Sequence, residues 1–191
     1  MKQRYTVPLK RKRLGRTNYK KRIKFLKSGQ PRLIARKSLN HMSLQIAVFD
    51  TKGDKIIASA HSKELEQFGW KINKGNIPAA YLTGILLGTK AKKKDIKNAI
   101  LDLGLQTSVK GSRVYAAVKG CIDAGIEIPV AAEILPDEDR LHGKHIASYC
   151  THSGLKSPAF SHYGEKSVKA EHVPALVDEI KNQIKKKVAG G

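Results

Sequence analysis

His142, His145, Cys150 and His152 fall within eleven residues of one another, and imidazole and thiolate are groups that bind zinc. The spacing does not fit. The sequence has neither a CxxC nor an HxxxH pair, so we read no metal site here. Carboxylates are the next candidates, because two-metal phosphoryl chemistry needs several of them converging on ions about 4 Å apart. Asp50 ends one predicted strand and Asp102 lies near the end of another, but the strand Arg32–Ser38 offers cations in place of an acid. Asp137, Glu138 and Asp139 sit together in what reads as a solvated turn. Gly88-Thr89-Lys90 inverts the end of a phosphate loop and lacks its first glycine. We therefore expect no enzyme, no cofactor and no small-molecule substrate.

Cationic side chains remain, and their distribution is lopsided. The first 49 residues hold 15 of the 37 Lys and Arg and no acidic residue; the first is Asp50. Residues 50–191 carry 22 basic and 16 acidic side chains, a net +6, so the front of the chain supplies +15 of the formal +21. A one-signed run of this length repels itself unless a polyanion neutralises it. Lys10, Arg11, Lys12, Arg13, Arg16, Lys20, Lys21, Arg22 and Lys24 form the run, with Tyr19 interleaved. A second cluster follows: Arg32, Arg36, Lys37, Ser38, Asn40 and His41. Arg32 and Arg36 share strand parity and should point to one face. RNA is recognised largely through phosphates, 2′-hydroxyls and stacking on planar groups. Arginine suits this because its planar fork both grips phosphate and stacks. Trp70, beside Lys71, is read either as a stacking platform or as a loop anchor, with stacking preferred. A chromatin-like protein that binds nucleic acids generally is the alternative.

The elements that must hold these groups follow from pattern. Met1–Arg13 reads as extended, with Pro8 and a self-repelling block. Asn18–Lys27 reads as a helix capped by Thr17 and stopped by Ser28-Gly29. Arg32–Lys37, Ser43–Asp50 and Lys55–Ala60 read as three strands of a meander with tight turns at Asn40-His41 and Thr51–Asp54. A helix runs from Ile77 to about Thr89, capped by Asn76, and its Gly84 and Gly88 would let backbone approach a sheet closely. Ala99–Leu103 is a short strand, Ser112–Ala124 a helix, and Ile126–Ala131 a final strand. The order argues α/β with a mixed sheet. After Ala132 the chain turns polar and irregular, with an acidic turn at Leu135–Arg140, until a helix over His172–Val188 whose Val173, Val177, Ile180 and Ile184 face one way. Three parts result: a basic arm (1–30), an α/β core (31–131) and a C-terminal extension (132–191).

Two cysteines, Cys121 and Cys150, make no disulfide framework and suggest a reducing, cytoplasmic setting. The N-terminus lacks the apolar run of a signal peptide. The longest apolar stretch, Ile77–Gly88, is too short for a bilayer, so no membrane partner is expected.

Taken together the segments resemble a known family. They are Pro31-Arg32-Leu33 with Arg36-Lys37-Ser38; Gln45; Ser62 with Glu64-Leu65; Phe68-Gly69-Trp70-Lys71; Asn76 with Pro78 to Gly84; Ile100 to Gly104; Ser112-Arg113-Val114; and Lys119-Gly120 with Asp123-Ala124-Gly125. This string is similar to universal large-subunit ribosomal protein eighteen, the 5S rRNA-binding family, in its archaeal form. The tail, with Ile134-Leu135-Pro136 and Arg140, resembles the archaeal and eukaryotic extension. The resemblance implies a three-layer core of ribonuclease H-like topology used without catalysis. It implies residence in the cytoplasm within the large ribosomal subunit. The implied partners are 5S rRNA, the large-subunit rRNA of the central protuberance and neighbouring ribosomal proteins. It also implies RNA contacts from Arg11, Arg13, Arg16, Tyr19, Arg22, Arg32, Arg36, Lys37, Ser38 and His41.

Overall fold

Strand alternation sets the core. In the computed structural model, which describes residues 6–153 and 172–189, β1 (Arg32–Lys37), β2 (Met42–Val48), β3 (Lys55–His61) and β4 (Ile100–Asp102) form one sheet in the order β3-β2-β1-β4. β1 pairs antiparallel with β2 and parallel with β4, so the sheet is mixed. Leu33, Ala35, Leu44, Ile46, Ala58 and Ala60 all point to one face and are buried there. The other face carries Arg32, Ile34 and Arg36, with Asp102 beside Ile34 in register.

The apolar face is covered by α3 (Ile77–Lys92) and α4 (Arg113–Asp123), which pack more extensively on each other than any other pair of elements. Asn76 caps α3, its Oδ1 accepting from the Ala79 N–H at 2.9 Å. Twelve of the sixteen residues of α3 are buried. A helix apolar on all sides needs cover on all sides. The second cover is α7 (Val173–Ala189), which lays Val173, Val177, Ile180 and Ile184 against α3. Each such burial contributes about 2 kcal/mol.

Several expectations change. Gly84 and Gly88 admit α4 and not the sheet. A Cβ on Gly84 would lie 2.0 Å from the Ala117 carbonyl oxygen, one on Gly120 2.2 Å from that of Tyr81, and one on Gly88 2.4 Å from the Ala124 Cβ. The fifth strand, expected at Ile126–Ala131, is reduced to a single parallel bridge, Asn98 to Glu127. Pro129 has no N–H to extend the ladder. The polar stretch is regular over residues 132–153, and its remainder, 154–171, lies outside the described residues. The regular part forms a 3₁₀ turn, Ala132–Ile134, then α5 (Glu138–Leu141) and α6 (Lys144–Ser153). Leu141 and Cys150 are its buried anchors, and the acids at the start of α5 complement the helix dipole.

The arm is also more regular than expected. Lys10–Arg13 forms one helical turn, α1, ended by Gly15 in the left-handed region at φ +60°. Pro8 precedes that turn and so obstructs nothing. Next comes α2 (Tyr19–Lys27), capped by Asn18 and not by Thr17. The Thr17 hydroxyl instead accepts a hydrogen bond from Arg11 Nε at 2.9 Å. Lys21, Arg22 and Phe25 border a pocket with Arg32, Ile34 and Arg36, which places α2 over the polar face of the sheet. The layers are therefore α2, the sheet, and α3 with α4.

Candidate nucleic-acid interface

A ladder of alternating charge joins the arm to the sheet. Arg22 on α2 places Nη2 3.0 Å from both carboxylate oxygens of Asp54, in the turn before β3. Arg32 Nη2 lies 2.7 Å from the same carboxylate, a charge contact not aligned as a hydrogen bond. Arg32 Nη1 then meets Asp102 Oδ2 at 3.3 Å. Arg36 ends the series, donating to the Asp102 backbone carbonyl at 2.7 Å with Nη2 3.5 Å from Oδ1. Three guanidiniums and two carboxylates leave the ladder net positive.

Arg32 was read as an RNA contact, but β1 lies between β2 and β4, and the residue is only 2 % exposed. In the free chain it holds two carboxylates, those of Asp54 and Asp102. Asp102, the candidate metal ligand, is thereby committed to two arginines. Asp50 is exposed and serves its own turn, accepting from the Lys52 N–H. Among the described residues no group of three or more His, Cys, Asp or Glu could hold a metal ion. His142 pairs with Asp178 of α7 at 3.1 Å, and Cys150 is buried.

Asp54 has a legible acid limit. Burial by itself would raise its carboxyl, but the guanidiniums of Arg32 and Arg22 outweigh that and hold it below its ordinary value of 3.8. A carboxylate depressed by folding adds stability above its unfolded pKa, and that stability is lost as pH falls through the folded value. The stability gap between wild type and Asp54→Asn should therefore stay flat from about pH 7 to 5 and close below about pH 4. Urea denaturation across that range checks it, and a gap that widens in acid would contradict the ladder.

The remaining expected contacts are presented outward. Lys10, Arg11, Lys12, Arg13 and Arg16 are exposed, as are Lys20, Lys21, Lys24 and Lys27 on α2, while Tyr19 is half-buried. Lys37, Ser38 and Asn40 project from the turn after β1. That turn is closed by the Ser38 N–H to the His41 carbonyl at 2.9 Å and by the His41 N–H to the Ser38 hydroxyl at 3.0 Å. His41 Nδ1 lies 3.1 Å from the Ser62 hydroxyl. Partial burial, then His61, Lys74 and Lys63 nearby, lower its pKa, so near neutrality the ring is uncharged.

Trp70 corrects an expectation. It is completely buried, and its indole N–H donates to the Asn73 carbonyl at 3.1 Å. Gly69, at φ +90°, turns the chain so that the ring enters the core beneath the neighbouring 3₁₀ helix, Ser62–Phe68. In this conformation it anchors the loop and offers no face for stacking, while Lys71 beside it is exposed.

Sequence reasoning missed two residues. Asp54 sits 32 positions from the arginine it holds. Arg113 steadies the exposed turn by donating to the Leu39 carbonyl at 3.2 Å and to that of Gly75 at 2.7 Å. Its placement was a usable signal: a cation in the first turn of a helix opposes the dipole, so it needs acceptors elsewhere.

No helix among the described residues is long and apolar enough to cross a membrane. The family model for ribosomal large subunit proteins 60S L5 and 50S L18 matches residues 3–98 and 88–131. A protein of the archaeon Methanococcus maripaludis, large ribosomal subunit protein uL18, is 46% identical over 190 residues, covering 96% of this chain and 97% of the relative. That match extends through the C-terminal helices, beyond the family model. Cations on the arm and the first turn, a mixed sheet whose acids are neutralised by arginine, and similarity along nearly the whole length agree: the chain belongs to the uL18 family of large-subunit ribosomal proteins, in its archaeal form.

Proposed function

We propose that the chain is a structural protein of the large ribosomal subunit that binds 5S rRNA and helps attach it to the large-subunit rRNA in the central protuberance. Family membership supports the ribosomal role. The choice of an RNA backbone as ligand rests on one observation: α1, α2 and the 37–41 turn present cations with no acid among them. Lys10, Arg11, Lys12, Arg13, Arg16, Lys20, Lys21, Lys24, Lys37 and Lys71 would neutralise phosphates, and Tyr19 would stack. Arg22, Arg32 and Arg36 set the arm's position on the sheet. Such a device needs no nucleophile, because all its chemistry is charge compensation and shape.

Filter binding of the full chain to a 5S transcript tests this. With six to ten phosphates met, log affinity should fall against log salt with a slope of about −5 to −9. Duplex DNA at equal mass should compete poorly. Equal competition would make the chain a general polyanion binder and overturn the assignment to 5S rRNA.

A further inference from the structure

A second set of lysines gathers on the side away from the arm. Lys92 ends α3, Lys93 follows it, and Asp123 and Ala124 close α4. Lys185 arrives from the last turns of α7, and with Thr89 these residues line a pocket of about 520 Å³. Lys181, one turn earlier on α7, holds its ammonium 5.5 Å from the centroid of the Tyr81 ring on α3. That contact fixes the rotation of α7, so the Lys181–Lys185 ridge faces α3.

Among the described residues the charge there is not compensated. Asp123 is the one acid of the lining, and it is already engaged by Lys119 at 3.0 Å and by the Tyr81 hydroxyl at 2.7 Å. Lys92, Lys93 and Lys185 are exposed, and their side chains make no hydrogen bond or ion pair among the described residues. Helix dipoles favour lysine at each carboxyl end, but that effect acts within one helix. It does not require three elements to bring their lysines to one place.

The surroundings select the occupant. The exposed large hydrophobics among the described residues all lie elsewhere, on the arm, the 39–56 region, Leu105, Val109 and Tyr149. What this surface presents to solvent is the side chains of three lysines, whose like charge suits a polyanion. Mobile ammonium groups act as point charges that suit phosphate. The sheet and the α3–α4 layer separate this cluster from the arm, roughly 20 Å at about 10 Å per layer. Since the Debye length at physiological salt is about 8 Å, the two surfaces can hold different strands independently.

We propose that Lys92, Lys93 and Lys185 form a second RNA-binding surface, which seats the backbone of an RNA duplex separate from the RNA held by the arm. The bridging consequence rests on the reading of the arm given above; the surface itself has its own readout. The full-length chain, saturated with 5S transcript, is titrated with a short labelled RNA duplex and followed by anisotropy. The complex should bind the duplex saturably. The variant K92E/K93E/K185E should bind it at least tenfold more weakly while transcript affinity stays within twofold. Without transcript, sedimentation should show two duplexes per wild-type chain and one per variant chain. If the arm reading alone is wrong, those numbers become one and none. Equal loading of wild type and variant overturns the proposal. So does displacement of the duplex from the transcript complex by polyglutamate as effectively as by unlabelled duplex, which would indicate an acidic protein partner.

Discussion

Replacing Lys10, Arg11, Lys12 and Arg13 together by glutamine is expected to lower affinity for a 5S transcript roughly 10³-fold at physiological salt. Each phosphate neutralised in a duplex contributes about 0.9 to the log–log salt slope, which amounts to about 0.7 log units per contact near 0.15 M. Four contacts give the thousandfold loss, and the slope should become shallower by about 3 to 4. The fold should survive, because all four side chains are exposed and none is paired with an acid among the described residues. Among the described residues the one side-chain hydrogen bond these four make is that of Arg11 to Thr17. Filter binding at several salt concentrations, with circular dichroism as the folding control, reads both quantities. An unchanged slope would mean that α1 touches no phosphate, and binding would then have to be reassigned to α2 and the 37–41 turn.

Gly84→Ala should destabilise the chain by about 3 kcal/mol, at the upper end of what overpacking does. In an open helix the same change gains up to about 1 kcal/mol, since alanine is the better helix former. Here the new methyl group would sit 2.0 Å from the Ala117 carbonyl oxygen, and backbone cannot rotate away as a side chain can. α3 and α4 must separate, which loosens the central contact of the core. In a chain of this size the melting temperature should fall by roughly 6 to 12 °C. Gly120→Ala strikes the same crossing from the other side, 2.2 Å from the Tyr81 carbonyl oxygen, so the double variant should lose less than the sum. Calorimetry of the three proteins checks the sign as well as the size. A stabilised Gly84→Ala would mean that the two helices do not cross at this point.

Most of the layering was legible because it rests on local patterns. β1 alternates buried and less buried residues from Leu33 to Arg36, and the Asn76 cap announces α3 three residues before its bonded N–H. The stripe of Val173, Val177, Ile180 and Ile184 announced α7. What was not legible depends on partners far away in sequence. Arg32 and Arg36 share parity, as expected, yet one is buried and the other half-exposed, because Asp54 arrives from the turn before β3 and Asp102 from β4. A tryptophan between glycine and lysine has the same local appearance whether it stacks on a base or fills a core; only the chain reversal at Gly69 decides. The spacing of Gly84 and Gly88 correctly signalled close approach but could not say whether strand or helix approaches. At Ile126–Ala131 hydrophobic content suggested pairing, and a single proline outweighed it.

The seal that α7 places on α3 has a consequence for birth order. Translation delivers the cationic segment before α3 and the apolar cover of α3 about 80 residues after that helix. Throughout elongation the newborn chain carries two hazards at once, a segment that clings to any nearby polyanion and an oily helix lacking its lid. A chaperone that masks both until α7 has docked would answer that double exposure.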